Sequence, residues 1–175
     1  LPEIGVQMLS PFVNSDIDRA SLERICNEAL NFPIPVVEVE PGISALELFH
    51  GPTLAFKDVG ARFLARMIRE VTDEKLTVLV ATSGDTGSAV ANGFFGVEGI
   101  DVIILYPSGK ISEIQEKQLT TMGGNVKAIE VEGVFDDCQR MVKQAFLDDA
   151  LRQKMNLTSA NSINIMRWIP QSIYY

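Results

Sequence analysis

Apolar positions along the chain come in two alternating patterns. Residues 76–81, 101–106 and 126–131 are short and largely apolar, and each has the length of a strand. Each is followed by a stretch with apolar residues at helical spacing: 86–95, 111–122 and 136–150. The last of these carries the stripe Cys138, Met141, Val142, Ala145 and Phe146, and Gly123 suits the residue that closes the second. Strands without polar alternation, each leading into an amphipathic helix, predict an α/β fold. The expected form is a three-layer sandwich, a mostly parallel sheet flanked by helices. Right-handed crossovers then gather the loops after the strand carboxyl ends on one edge, where open α/β sheets bind ligands.

Residues 1–50 read as a lead-in and residues 51–175 as the α/β domain. The first thirteen residues carry two prolines and no clear period. Between 16 and 30, Leu22, Ile25, Cys26, Ala29 and Leu30 recur as on a helix, with Asn14 or Ser15 as cap. Short strands are expected at 36–39 and 46–49, on either side of Pro41-Gly42. After Pro52 a helix runs to about Thr72. Its inward stripe is Val59, Phe63, Leu64, Met67, Ile68 and Val71, with Arg62, Arg66, Arg69 and Glu70 on the wet side. Ile165, Trp168, Ile169 and Ile173 continue a helical pattern interrupted by Pro170, and the chain stops at Tyr175 in what reads as an unfinished, truncated element.

Composition narrows the function classes. A chain of 175 residues with 46% hydrophobic and 22% charged residues can build a core without a disulfide or metal staple. The net charge of −8 repels phosphate backbones and argues against nucleic acid as partner. No apolar run nears the ~18 residues of a membrane helix and no leader is visible, so a cytoplasmic protein without a membrane partner is expected. Cys26 and Cys138 read as reduced thiols, and a single histidine, His50, leaves no metal site to expect. A dinucleotide fingerprint, a P-loop and a nucleophile elbow are all absent.

Four loops can carry chemistry. In the first, Lys57 opens a helix beside Phe56. The positive helix end and apolar walls disfavour an ammonium, so this position suits a neutral amine that forms Schiff bases, or else a plain solvated lysine with Asp58 serving the dipole. In the second, Thr82, Ser83, Gly84, Asp85 and Thr86 lead from a strand into a helix. This is either a nest for a carboxylate or phosphate, or a glycine turn with an Asp85 cap. The third, 106–110, ends in Lys110 and by itself reads as a polar turn. The fourth offers Ser162, Asn164 and Arg167 around a helix start, for a phosphate or for simple capping.

The stretches His50-Gly-Pro-Thr-Leu-Ala-Phe-Lys57-Asp58 and Thr82-Ser-Gly-Asp-Thr-Gly-Ser88, in that order, resemble the threonine synthase family. The likeness extends through 106–112, 132–137 and 161–164, nearly the whole chain. These are pyridoxal-phosphate enzymes of the tryptophan-synthase-like group. The resemblance implies that Lys57 holds pyridoxal 5'-phosphate as a Schiff base, that Asp85 stands beside the cofactor where many relatives have asparagine, and that 82–86 cradles the substrate α-carboxylate. Ser162, Asn164 and Arg167 would bind the substrate phosphate, with Lys110 as a further candidate. The implied substrate is O-phospho-L-homoserine, converted with water to L-threonine and phosphate. Family members are more than twice as long, with a cofactor-phosphate loop further downstream, so this chain reads as a central fragment with little turnover of its own. Two other readings stay open: a β-eliminating relative of the dehydratase or cysteine synthase type, and a non-catalytic module for a phosphorylated metabolite.

Overall fold

A computed structural model describes residues 1–175. Its centre is a four-stranded parallel sheet in the order β5-β4-β3-β6. β3 is Leu76–Ala81, β4 Ile100–Pro107, β5 Val126–Val131 and β6 Leu157–Thr158. Successive residues point to opposite faces, and both faces are covered, which accounts for the unbroken apolar runs. Val78 and Val80, with Val102 and Ile104, pack under α3 (Lys57–Val71), α4 (Asp85–Phe94) and α5 (Glu113–Thr120) in a cluster of 16 buried residues. Leu79, Ala81 and Leu105 meet Cys138 and Val142 of α6 (Phe135–Leu147) in a cluster of only five. The three-layer α/β expectation therefore holds.

Strand order sets the position of the site. The chain steps outward from β3 to β4 to β5, then returns across the sheet to lay β6 on the opposite side of β3. β6 pairs through two residues, Thr77 with Leu157 and Val78 with Thr158, and no strand was expected there. The reversal of order opens a crevice between the carboxyl ends of β3 and β6.

The residues before the sheet differ from expectation. Residues 2–13 form a helix, α1 (Pro2–Val13), where a structureless lead-in was predicted. Val6, Leu9 and Val13 step by three and four along one buried face, and Pro2 occupies a first-turn position where no N–H is needed. α2 (Arg19–Ala29) starts later than predicted, capped by Asp18, whose carboxylate accepts from the Ser21 N–H at 2.7 Å. Asn14 instead ends α1. β1 (Val36–Glu40) and β2 (Ile43–Leu46) form an antiparallel hairpin, and β2 begins earlier than expected because the turn closes at Gly42 with φ +79°.

Other boundaries move for local reasons. α5 starts only after Ser112, which forms a reciprocal capping box with Gln115. α6 stops at Leu147, because Asp148 caps a separate turn, α7 (Asp149–Arg152), accepting from the Leu151 N–H at 3.0 Å. Val71 and Met141, assigned to inward stripes, are exposed. At the far end, α8 (Ile165–Trp168) passes into a 3₁₀ segment, Ile169–Tyr174. That segment is docked: Ile169, Ile173 and Tyr174 share a second core with α1, α2 and the Val59–Phe63–Met67 side of α3. Cys26 lies in the same core, free and buried, and burial pushes its thiol up to about 11. No helix is long and apolar enough to cross a membrane.

Candidate functional site

A cleft of about 800 Å³ opens at the strand-order reversal. Three segments meet there: Phe56 and Lys57 at the start of α3, Ala81–Ser83 and Thr86 after β3, and Ser159, Asn161, Ser162 and Ile163 with Arg167 after β6. The opposite wall is α6, which presents Phe135, Gln139, Val142, Lys143 and Phe146.

Lys57 is the first residue of α3, and its side chain is about one quarter exposed, at 26%. Its Nζ lies 5.1 Å from the Phe56 ring centroid and 3.6 Å from Asp85 Oδ2. The amine therefore has an apolar neighbour and also a carboxylate, which the positive helix end and apolar walls read from the residues around Lys57 did not include. The loop before it is tied down by Asp58, which is fully buried. Asp58 accepts from the Thr53 N–H at 2.9 Å and the Thr53 hydroxyl at 2.6 Å. Burial raises the Asp58 carboxyl above its ordinary range, with the Thr53 hydrogen bonds working against that rise. Asp58 thus anchors the lysine loop, beyond any service to the helix dipole.

The loop after β3 is braced from within. The buried Thr82 hydroxyl accepts from the N–H groups of Gly84 at 3.0 Å and Gly87 at 2.8 Å, and donates to the Gly84 carbonyl at 3.0 Å. Gly84 has φ +145°, a backbone that side-chain-bearing residues rarely adopt. Ser83 and Thr86 reach the cleft with hydroxyls that no protein group uses. Asp85 Oδ1 accepts from the Gln115 amide at 2.7 Å. Gln115 was absent from the expected site residues, although Ser112-x-x-Gln115 is a legible helix-start signature.

The loop after β6 contrasts with this. Arg167 is buried, at 4% exposure, yet its Nε has no partner and its guanidinium forms no ion pair. Burial pulls its pKa down, while Tyr174 and Asp58 hold it up. Arg62, half-buried on α3, instead donates to the carbonyls of Ala29 at 3.1 Å and Glu28 at 2.7 Å. Arg167 is thus a cation held against a cleft with its donors unspent. Ser162 lines the cleft beside it. Asn164 is occupied in structure: it accepts from the Met166 N–H at 3.1 Å and donates to the Ser159 carbonyl at 3.3 Å. Lys110 sits in an exposed turn after β4, outside the cleft lining.

An amine projecting from a helix start, a neighbouring carboxylate, free hydroxyls and an unpartnered buried guanidinium can together hold a small anionic molecule with a carbonyl. Comparison with known proteins agrees. A family model described as pyridoxal-phosphate dependent enzyme matches residues 36–169. A threonine synthase from Haemophilus influenzae is 51% identical over 176 residues, covering 100% of this chain and 41% of that one. The crystal structure of threonine synthase from Escherichia coli superposes with a TM-score of 0.91 at 50% identity, covering 98% of this chain and 40% of that one. That of a pyridoxal-phosphate-bound threonine synthase from Brucella melitensis gives 0.92 at 42%, with 99% and 39% covered. The chain spans about two fifths of the length of these relatives.

Proposed function

The chain belongs to the pyridoxal-phosphate dependent enzymes, and on that premise we propose that it carries the lysine-bearing part of a threonine synthase. The reaction is conversion of O-phospho-L-homoserine and water to L-threonine and phosphate. One observation carries this reading: Lys57 and the unpartnered Arg167 line the same cleft. The lysine suits a carbonyl cofactor and the arginine suits a phosphate, and a phosphorylated amino acid uses both.

The residues present fit pyridoxal phosphate through Lys57, whose amine would hold it, with Asp85 beside it. When bound, that group supplies the electron sink for charge developing on the substrate. The remaining work falls to the protein. Ser83 and Thr86, on a loop rigidified by Thr82 and Gly84, bind the α-carboxylate through hydroxyls that nothing else occupies. Lys57, once its amine is free, accepts the proton from Cα and moves protons at Cα and Cβ. Ser162 and Arg167 bind the phosphate and stabilise the charge it gathers as it leaves Cγ, before water adds at Cβ. Burial of the guanidinium strengthens that contact, since little water screens it.

Two measurements test this. Incubation with pyridoxal phosphate, borohydride reduction and peptide mapping should give one adduct, on Lys57, in preference to the other lysines. O-Phospho-L-homoserine should raise the melting temperature, L-homoserine should not, and Arg167→Met should abolish the difference. Labelling scattered over surface lysines would end the cofactor reading. Equal stabilisation by the two homoserines would end the phosphate reading.

A further inference from the structure

Gln115 belongs to a different helix from every residue in the proposed chemistry, and its side chain is used at both ends. Ser112 presents an N–H at 3.3 Å and a hydroxyl at 3.0 Å to Gln115 Oε1, and the Gln115 N–H donates back to Ser112 Oγ at 3.3 Å. The backbone N–H of Ser112 can only donate, so the oxygen end of the amide must face it. That leaves Nε2 pointing away, and it meets Asp85 Oδ1 at 2.7 Å. Asp85 Oδ2 is the oxygen that lies 3.6 Å from Lys57 Nζ. A Cβ on Gly84 would fall 2.5 Å from the Gln115 amide, so the glycine before Asp85 also makes room for this side chain.

We infer that Gln115 is a positioning residue: pinned by Ser112 at the start of α5, its amide holds one oxygen of Asp85 and thereby turns the other toward the Lys57 amine. A free aspartate at a helix start, half-exposed as Asp85 is, would sample several rotamers. One charge-assisted hydrogen bond from an oriented amide selects among them. The link is a chain of contacts over three helices, α5 to α4 to α3. It rests on the proposed role of Lys57 for its functional meaning, but not for its existence.

The test separates positioning from helix capping. Glutamate also completes a capping box, so Gln115→Glu keeps the cap while removing the donor to Asp85. The rate of pyridoxal phosphate labelling of Lys57 would be measured in the whole chain, in Gln115→Glu, Gln115→Ala and Asp85→Asn, and in the Gln115→Ala/Asp85→Asn pair. Melting temperatures would be recorded alongside. The expected result is a change of about threefold to tenfold in each single variant, the ratio for one hydrogen bond to a charged group in a half-exposed site. The double variant should change no further than Asp85→Asn alone. A Gln115→Glu variant that labels at the parent rate, or a double variant with additive effects, would overturn the inference. The side-chain amide resonances of Gln115, followed by NMR without cofactor, should shift on Asp85→Asn. If they shift while Lys57 is not selectively labelled, the cofactor reading falls and the contact stands. If they do not shift, the positioning role falls whatever Lys57 does.

Discussion

The loops after β3 and after β6 border the same cleft and are built on opposite principles. The first spends its hydrogen-bonding capacity on itself: Thr82 serves two N–H groups and a carbonyl, and Gln115 secures Asp85. Its shape is therefore fixed before any ligand arrives. The second holds its strongest group in reserve, since Arg167 is buried with nothing on its Nε. A buried cation without a partner opposes folding, and a ligand anion removes that penalty. One loop supplies geometry at no expense to stability, while the other lowers stability and, on the proposed reading, gains affinity for a phosphate. Substitutions in the two should accordingly move stability in opposite directions.

The largest effect is expected where α8, which follows the second loop, packs on α3. A Cβ on Gly60 of α3 would fall 1.9 Å from the Arg167 carbonyl oxygen, a backbone atom that cannot swing aside. Gly60→Ala should destabilise by about 3 kcal/mol in a urea titration and widen the cleft, because overpacking against backbone has no cheap relief. Next comes Thr82→Val, which leaves the N–H groups of Gly84 and Gly87 facing a methyl. A loss of about 2 kcal/mol is expected, with Thr82→Ser close to the parent. Arg167→Met should stay within about 1 kcal/mol of the parent or gain slightly, since it replaces an unpaired buried charge with a packed apolar chain. It should also abolish stabilisation by phosphate. A loss of several kcal/mol on Arg167→Met would mean the guanidinium is structural, and the contrast between the loops would collapse.

The smallest effect is a pH dependence. The Asp58 carboxyl is raised above its ordinary 3.8 by burial, so the folded state holds this proton more tightly than the unfolded chain. Its contribution to stability is thus fully present below 3.8 and is lost as pH rises through the higher folded value. Asparagine can still accept from the Thr53 N–H and bond its hydroxyl. Parent and Asp58→Asn denaturation midpoints, compared from pH 3.8 upward, should diverge in favour of the variant. Parallel curves would show that Asp58 does not titrate in that range.

Much of the frame was legible. The three long strands and their helices announce themselves because burial on both faces forces continuous apolar runs, and the lysine and Thr82 loops fall at the strand ends. What escaped was tertiary. β6 is two residues long, too short for any periodicity, yet it alone creates the order reversal that opens the cleft. α1 was hidden by prolines near its two ends, although Val6, Leu9 and Val13 keep helical spacing. The bare sequence leaves Asn164 and Arg167 open between binding a phosphate and a cap beside a solvated arginine. Only the fold shows the asparagine committed to capping and the arginine unpartnered. The Gln115 cap is readable locally, but its contact with Asp85 joins residues 30 positions apart.

The close approach of Gly60 to Arg167 also orders events during synthesis. The lysine loop leaves the ribosome about 110 residues before the arginine that lines the same cleft, an interval of roughly 5–20 s at ordinary elongation rates. Throughout that time the nascent chain displays a lysine and an open α3 surface without their closing partner. The cleft is thus a late product of translation, its lining complete only once β6 and Arg167 have emerged.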